Sequence, residues 1–424
     1  MASLIRRDDI EVSDHGISYA SDVGYTVTAF AASEAIRELQ REGYRVIQHE
    51  DADELAKDRL HAAGADYLKV DQVEAALASA AAAPYANIAT LIALPHLTHE
   101  GRQCHALKIA GQSGANRVGV YFLGGVHANE WGSPDILINF IQQLERAYVG
   151  GDGLTFGGKT FSAADISKIV DTLDILVFSQ ANPDGRYYSM NVEENWRKNR
   201  RPARAGSPNC CGVDLNRNYD FLWDFRRYFS PDSTVATCTN PCSTFYCGPS
   251  SFSEPESRNA RWIVEQFANT RFFVDLHSAG QHILYRWSDD SNQSTNASMN
   301  FMNTVYDGKR GTNGPYMEYI PKGDLATSLS LAGILREAIK AVRGTDYDMA
   351  QGYRLYPMSG SSEDYFYSRH CTDATQEKII TFTLEWGKAS HPRFPEMQHI
   401  IDETTAGLLA FCLEIATRYP ARMA

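Results

Sequence analysis

The sequence predicts an α/β fold: a mostly parallel or mixed twisted sheet with helices on both faces, plus a small N-terminal β-α-β appendage. Three observations carry that expectation. Short, predominantly apolar runs recur at residues 118–123, 173–179, 272–276 and 379–384, as strands covered on both faces do. Between them stand longer segments with apolar residues three and four apart, the pattern of helices packed against a sheet. Gly, Pro, Asn and Ser gather at the junctions and mark the turns.

Composition bounds the function. A chain of 424 residues can bury one large core and carry an appendage. Hydrophobic residues make up 43% and charged residues 22%, ordinary values for a globular protein. A net charge of -12 argues against a nucleic-acid partner, which needs a basic face. No apolar run approaches the ~20 residues of a membrane span. Residues 1–10 contain Arg6 and Arg7 but no apolar stretch after them, so no signal peptide is read, and a full-length chain of this kind belongs in the cytoplasm. Five of the eight cysteines (Cys210, Cys211, Cys238, Cys242 and Cys247) fall in one Pro/Ser/Thr-rich segment without a Cys-x-x-Cys pair. That favours a disulfide-stapled loop over a structural zinc site. Paired cysteines would instead place the protein outside the cell or in a periplasm.

Residues 1–22 lack clear periodicity and read as an extended arm. Residues 25–30 alternate like a strand, Ser33 caps a helix through Glu42, and residues 44–47 read as a second strand. Residues 1–65 thus form the arm and appendage, with a linker at 51–65, and residues 66–424 the main domain. There, 73–83 reads as a helix, 88–94 and 105–109 as strands, and 118–123 as a buried strand. The helix that follows runs to about Arg146, with Ser133 as its cap and Pro134 in its first turn. Residues 150–158 read as a glycine-rich loop, 173–179 as a strand, 182–185 as a turn, 262–269 as a helix and 285–298 as a polar loop. Helices at 325–341 and 395–419 flank the strand at 379–384.

Three of these strands end in a polar group that is expensive to bury. The first leads through Gly124 and Gly125 to His127 and Glu130; the second delivers His277; the third delivers Glu385. Ligand sites of open α/β sheets lie at that end of the strands. His127, Glu130 and His277 supply a His₂Glu set for one zinc ion with a position left open, as catalytic zinc requires. Glu385 is then a free carboxylate placed to take a proton from the attacking water.

Several separated motifs stand in the order of one family: His127-Ala128-Asn129-Glu130, Asn182-Pro183-Asp184-Gly185, Trp196-Arg197-Lys198, Val213-Asp214-Leu215-Asn216-Arg217-Asn218, Leu276-His277-Ser278 and Phe382-Thr383-Leu384-Glu385. From about Tyr67 to the C-terminus the chain resembles the zinc metallocarboxypeptidases of the funnelin type, the family of pancreatic carboxypeptidases A and B. The resemblance implies that His127, Glu130 and His277 bind one zinc ion and that Glu385 is the general base and later acid. It implies that Arg197 stabilises the oxyanion and that Asn216 and Arg217 grip the terminal carboxylate of a peptide or protein substrate. Tyr356 matches a mobile tyrosine that closes over that terminus. A planar guanidinium suits a carboxylate in two-pronged fashion, and such a grip defines an exopeptidase.

The departures are informative. Asn129 stands where digestive members commonly carry arginine. Glu363 aligns with the floor of the specificity pocket, where an acid suggests basic C-terminal residues; its alternative is a pairing with Arg354. Cys210 and Cys242 match a family disulfide, with a second bridge among Cys211, Cys238 and Cys247 as an extension. The N-terminal piece resembles a shortened inhibitory pro-segment. Two rival readings fit the same residues: a zinc amidohydrolase acting on a non-standard amide, and a catalytically dead binding module.

Overall fold

The computed structural model describes residues 10–20, 24–31, 33–46, 67–111, 117–203 and 210–419. Its centre is an eight-stranded mixed sheet. Across the sheet the strands run Asp348–Gln351, His282–Tyr285, Ile380–Glu385, Thr270–His277, Val118–Gly124, Leu173–Phe178, His105–Ile109 and Ala89–Ala93. The middle four are mutually parallel. The last two are antiparallel, and His282–Tyr285 is antiparallel to Ile380–Glu385.

The alternation of side chains along each central strand divides the core between the two faces of the sheet. Val118, Val120 and Phe122 enter the larger core, with Phe272, Val274, Phe382 and the helices Gly132–Gly150 and Phe394–Arg418. Tyr121 and Leu123 enter the other, with Phe273, Phe366 and Ile263. Because both faces are covered, Val118–Gly124 is buried at every position, which is why its sequence is apolar without alternation. The strand Ile380–Glu385 differs: Ile380, Phe382 and Leu384 enter the larger core, while Thr381, Thr383 and Glu385 point to the opposite face. That polar alternate face is where the site forms.

Several elements depart from the sequence reading. Ser133 does not cap its helix; its hydroxyl donates to Leu276 O at 2.8 Å and accepts from Trp386 Nε1 at 2.9 Å. It ties the helix to the ends of two site-bearing strands. Residues 182–185 open a helix, Pro183–Asn191, capped by the Asn182 side chain. The segment 150–158 contains the first strand of a short hairpin, Leu154–Phe156 with Lys159–Phe161. The helix expected at 262–269 is Pro255–Gln266. The outer strand Asp348–Gln351 and its neighbour His282–Tyr285 are four residues each, too short to leave a period. The helix Ser362–Thr372 has polar and aromatic residues without an apolar stripe.

The N-terminal piece is β-β-α where described, not β-α-β. Strand Ile10–Ala20 pairs antiparallel with Gly24–Ala31, and helix Ser33–Arg41 follows. The register shifts between Ser13 and Ser18, which breaks the alternation and hides the first strand from a sequence reading. Residues 44–46 form no strand; Ile47 and the expected linker at 51–65 lie outside the described residues.

Candidate active site

The turn after Val118–Gly124 builds the first half of the site. Gly125 has φ +64°, a conformation that favours glycine, and its Cα faces Gln180 and Ser179 so closely that a Cβ would meet them at 3.2–3.3 Å. The chain then reverses and presents His127 and Glu130. Asn182 holds this turn: its Nδ2 donates to Val126 O at 3.1 Å and to Lys198 O at 3.2 Å. One side chain thereby fastens the turn to the segment carrying Arg197. The backbone repeats the link, with Ala128 N–H donating to Arg197 O at 2.9 Å.

Strand register builds the other half. Glu385 stands opposite His277 on one side and opposite His282 on the other. His277, Glu385 and His282 therefore form a row on one face of the sheet. The next row on that face is Asp275, Thr383 and Leu284. This is how residues more than 100 positions apart in sequence meet.

His127, Glu130 and His277 converge, with one donor atom from each lying within 4.8 Å of the others. His127 Nδ1 is 2.6 Å from Glu130 Oε1, His277 Nδ1 is 3.1 Å from Glu130 Oε2, and the two Nδ1 atoms are 2.9 Å apart. One ion with ligand bonds of ~2.0–2.2 Å spans that cluster. The outer nitrogens face carboxylates: His127 Nε2 is 3.3 Å from Asp214 Oδ1, and His277 Nε2 is 3.1 Å from Asp275 Oδ2. Such carboxylates fix the tautomer and raise the basicity of a metal-binding imidazole. The donor set and its buried support both fit zinc.

The electrostatics follow from this crowding. Burial alone would raise the Glu130 carboxyl, but the two imidazoles beside it reverse the sign and hold it near about 2. Burial alone would raise Asp214 too; Arg197 and Arg217 overcome that and drive it far down. Glu385 moves the other way. Burial dominates, His277 opposes it, Glu130 adds to it, and the carboxyl is pushed up to about 7.

A cavity of about 130 Å³ opens beside these groups. Its lining includes His127, Glu130 and Glu385, and also Arg197, Asn216, Arg217, Tyr356 and Glu363. His277 lies directly behind, within the donor cluster. Every sequence-predicted site residue is thus at or against one cavity. Arg197 is oriented by Asp214, with Nε and Nη2 each 3.1 Å from Oδ2. Arg217 donates through Nε to Ala236 O and through Nη1 to Asn216 O; its buried Nη2 has no hydrogen-bond partner among the described residues. Asn216 Oδ1 accepts from Ser362 N at 2.9 Å, which leaves its amide N–H₂ as the donor available to a ligand. The ring of Phe245 lies 5.6 Å from the Arg197 guanidinium and 5.5 Å from that of Arg217. Gly360 lets the Tyr356 segment approach, since a Cβ there would sit 2.3 Å from Arg217 O.

Glu363 faces the cavity rather than Arg354. Its Oε2 accepts from Thr383 Oγ1 at 2.8 Å and its Oε1 has no hydrogen-bond partner among the described residues, while Arg354 pairs with Asp348 at 2.8 Å. Cys210 and Cys242 form a disulfide; Cys211, Cys238 and Cys247 are free, so the second bridge is not formed. Asp214, Asp275, Thr383, His282 and Phe245 carry roles the sequence reading left unassigned. Asp214 lies inside the Val213–Asn218 motif and Asp275 directly before Leu276-His277-Ser278, and the rule that a metal-bound imidazole needs an outer carboxylate points to them. His282 and Phe245 come from segments with no motif.

Residues 74–409 match the zinc carboxypeptidase family. The chain belongs to that family. Carboxypeptidase B of Bos taurus is 30% identical over 274 residues, covering 64% of this chain and 53% of that protein. The matched segment thus spans about half the length of that relative. An inactive metallocarboxypeptidase of Talaromyces marneffei is 33% identical over 202 residues, covering 45% of this chain and 30% of the relative. The structure of carboxypeptidase A from Helicoverpa armigera superposes with a TM-score of 0.71 at 21% identity, over 97% of this chain and 92% of that one; it has the same fold. The relatives thus include named enzymes and named inactive members.

Proposed function

We propose that this protein is a zinc-dependent carboxypeptidase that hydrolyses the C-terminal peptide bond of peptides or proteins. The observation that carries the proposal is one cavity shared by the His127/Glu130/His277 donor set, the Glu385 carboxylate and the Arg217 Nη2, which has no hydrogen-bond partner among the described residues. When bound, zinc supplies Lewis-acid activation of the scissile carbonyl and of water.

The remaining roles belong to the chain. Arg217 and the Asn216 amide bind the terminal carboxylate, which fixes the last peptide bond against the donor cluster. Glu385, raised by burial, takes the proton from the attacking water and returns it to the leaving amine. Arg197, held by Asp214, places a cation where oxyanion charge develops. The Tyr356 ring, 5.9 Å from the Arg217 guanidinium, closes the end of the cavity over the bound terminus.

Glu363 in the cavity supports a preference for Lys or Arg at the C-terminus, as does similarity to proteins named carboxypeptidase B. Residues 1–65 are read as a pro-segment-like unit and 66–424 as the catalytic domain. Ile10 and Ala35 pack in one apolar cluster with Tyr356, Met358 and Phe245, so the N-terminal piece lies against the cavity rim.

The test is amino-acid release from a peptide pool with every residue represented at the C-terminus, using zinc-loaded full-length protein. Release led by Lys and Arg is expected. Release led by aromatic or aliphatic residues would keep the reaction and remove Glu363 as its selector. No release from any peptide would place this chain with the inactive relatives.

A further inference from the structure

The segment that follows Glu385 returns to the site three times. Trp386 N–H donates to His277 O at 2.8 Å, Ser390 O accepts from Ser278 Oγ at 3.2 Å, and His391 Nδ1 lies 3.0 Å from Asn129 O. The third contact is unlike the others because it is made by a side chain with a second partner. His391 Nε2 lies 2.5 Å from Glu194 Oε1, and the imidazole stacks on Trp131 at 4.4 Å between ring centres. The Asn129 carbonyl can only accept, so His391 Nδ1 carries the N–H that serves it, and Nε2 is left facing the Glu194 carboxyl.

These partners sit at telling places. The Asn129 carbonyl belongs to the peptide unit that enters Glu130, so holding it fixes the plane from which that ligand side chain departs. Glu194 lies three residues before Arg197 and is buried, and its own carbonyl accepts from Ser189 Oγ at 2.8 Å. Ser189 Oγ in turn accepts from Trp131 Nε1 at 2.9 Å. His391 therefore joins the metal turn, the Arg197 segment and the loop leaving Glu385. We propose that the Glu194–His391 pair is a positioning device for the metal turn: it acts through the Asn129 carbonyl on the orientation of Glu130, and so on how long zinc is retained. The proposal rests on the zinc reading above. Outer contacts of this kind typically contribute ~10–100-fold to metal affinity or activity.

The experiment is zinc release to a chromogenic chelator, followed alongside peptide hydrolysis in the full chain. His391→Phe keeps a flat ring against Trp131 and removes both ring nitrogens. It is expected to release zinc roughly 10–100-fold faster and to lower kcat, with KM little changed because Asn216 and Arg217 are untouched. Glu194→Gln is expected to move the same quantities in the same direction by less. Once His391→Phe is present it should add nothing, the signature of a coupled pair. His391→Gln, whose amide can still donate to Asn129 O, should recover part of the retention.

Wild-type zinc retention in both His391→Phe and Glu194→Gln, with only a lower melting temperature, would overturn the proposal and leave the pair a packing feature. If His391→Phe fails to fold, Glu194→Gln and His391→Gln give the same reading. A wild-type protein that binds no zinc would sink the zinc reading itself, and this proposal with it; that outcome is separate from wild-type binding with unchanged variants.

Discussion

At the scale of the residue, two carboxylates with opposite surroundings carry the account. Glu130 is held near about 2 because two imidazoles outweigh its burial; Glu385 is pushed up to about 7 because burial outweighs the same imidazoles. The first is suited to stay an anion and hold a cation, the second to exchange a proton near neutrality. Glu385→Gln is expected to retain zinc, measured by metal analysis, and to lose roughly 10²–10⁴-fold in kcat. Near-normal turnover in that variant would remove Glu385 from the base role. The base must be ionised to act, so kcat/KM should fall as pH drops through the Glu385 pKa. A bound dication favours the carboxylate, so in the zinc-loaded enzyme that acid limb is expected below pH 7. Glu363→Leu should weaken hydrolysis of Lys- and Arg-ended peptides by about 3 kcal/mol, roughly 100-fold, and improve that of aliphatic ends. Equal rates for basic ends before and after the change would contradict its role.

At the scale of the element, the central strands were legible because burial on both faces leaves a predominantly apolar run, and the polar residue ending each run stands out. His127, Glu130, His277 and Glu385 could be found that way. What was not legible is telling. His282 enters the site only through its register opposite Glu385, on a strand of four residues. Ser133 looked like a cap from position alone, yet its hydroxyl is taken by Leu276 O and Trp386 Nε1. Tertiary hydrogen bonds took precedence over a local propensity there. The helix Gly132–Gly150 also carries a residue no pattern predicts. Glu145 is buried, neither carboxylate oxygen has a hydrogen-bond partner among the described residues, and burial raises its carboxyl to about 8. The folded state therefore holds a proton there that the unfolded chain loses near pH 4.5. Stability should decline as pH rises from about 5 to about 8, by on the order of 3 kcal/mol from this group, and level off above. Glu145→Gln should raise the melting temperature at pH 8 and change it little at pH 5. An equal shift at both values would show that Glu145 is not protonated in the fold.

At the scale of the whole molecule, the sheet brings distant segments to one edge and the N-terminal hairpin and helix lie against the resulting rim. The family resemblance made the main domain readable, but it did not give the strand order of the appendage. The bulged register between Ser13 and Ser18 erased the alternation that would have shown it. Ile10 is buried in the cluster with Tyr356 and Met358, so the appendage and the cavity rim are physically coupled. Ile10→Asp places a charge in that cluster and is expected to loosen the appendage. If it restricts access, kcat/KM for long peptides should rise several-fold while that for dipeptides changes less. A parallel fall for both would mean that the appendage supports the rim instead of screening it.

The central claim is that this cavity recognises a free carboxylate next to a zinc-assisted cleavage site. The most direct measurement compares two peptides ending in Lys, one with a free C-terminus and one amidated, with zinc-loaded full-length protein and a chelated control. The account predicts release of Lys from the free peptide, at least ~100-fold slower release of Lys-amide from the amidated one, since Arg217 then lacks its anionic partner, and loss of both on chelation. Equal hydrolysis of the two peptides, or none from a protein carrying one zinc per chain, would contradict it.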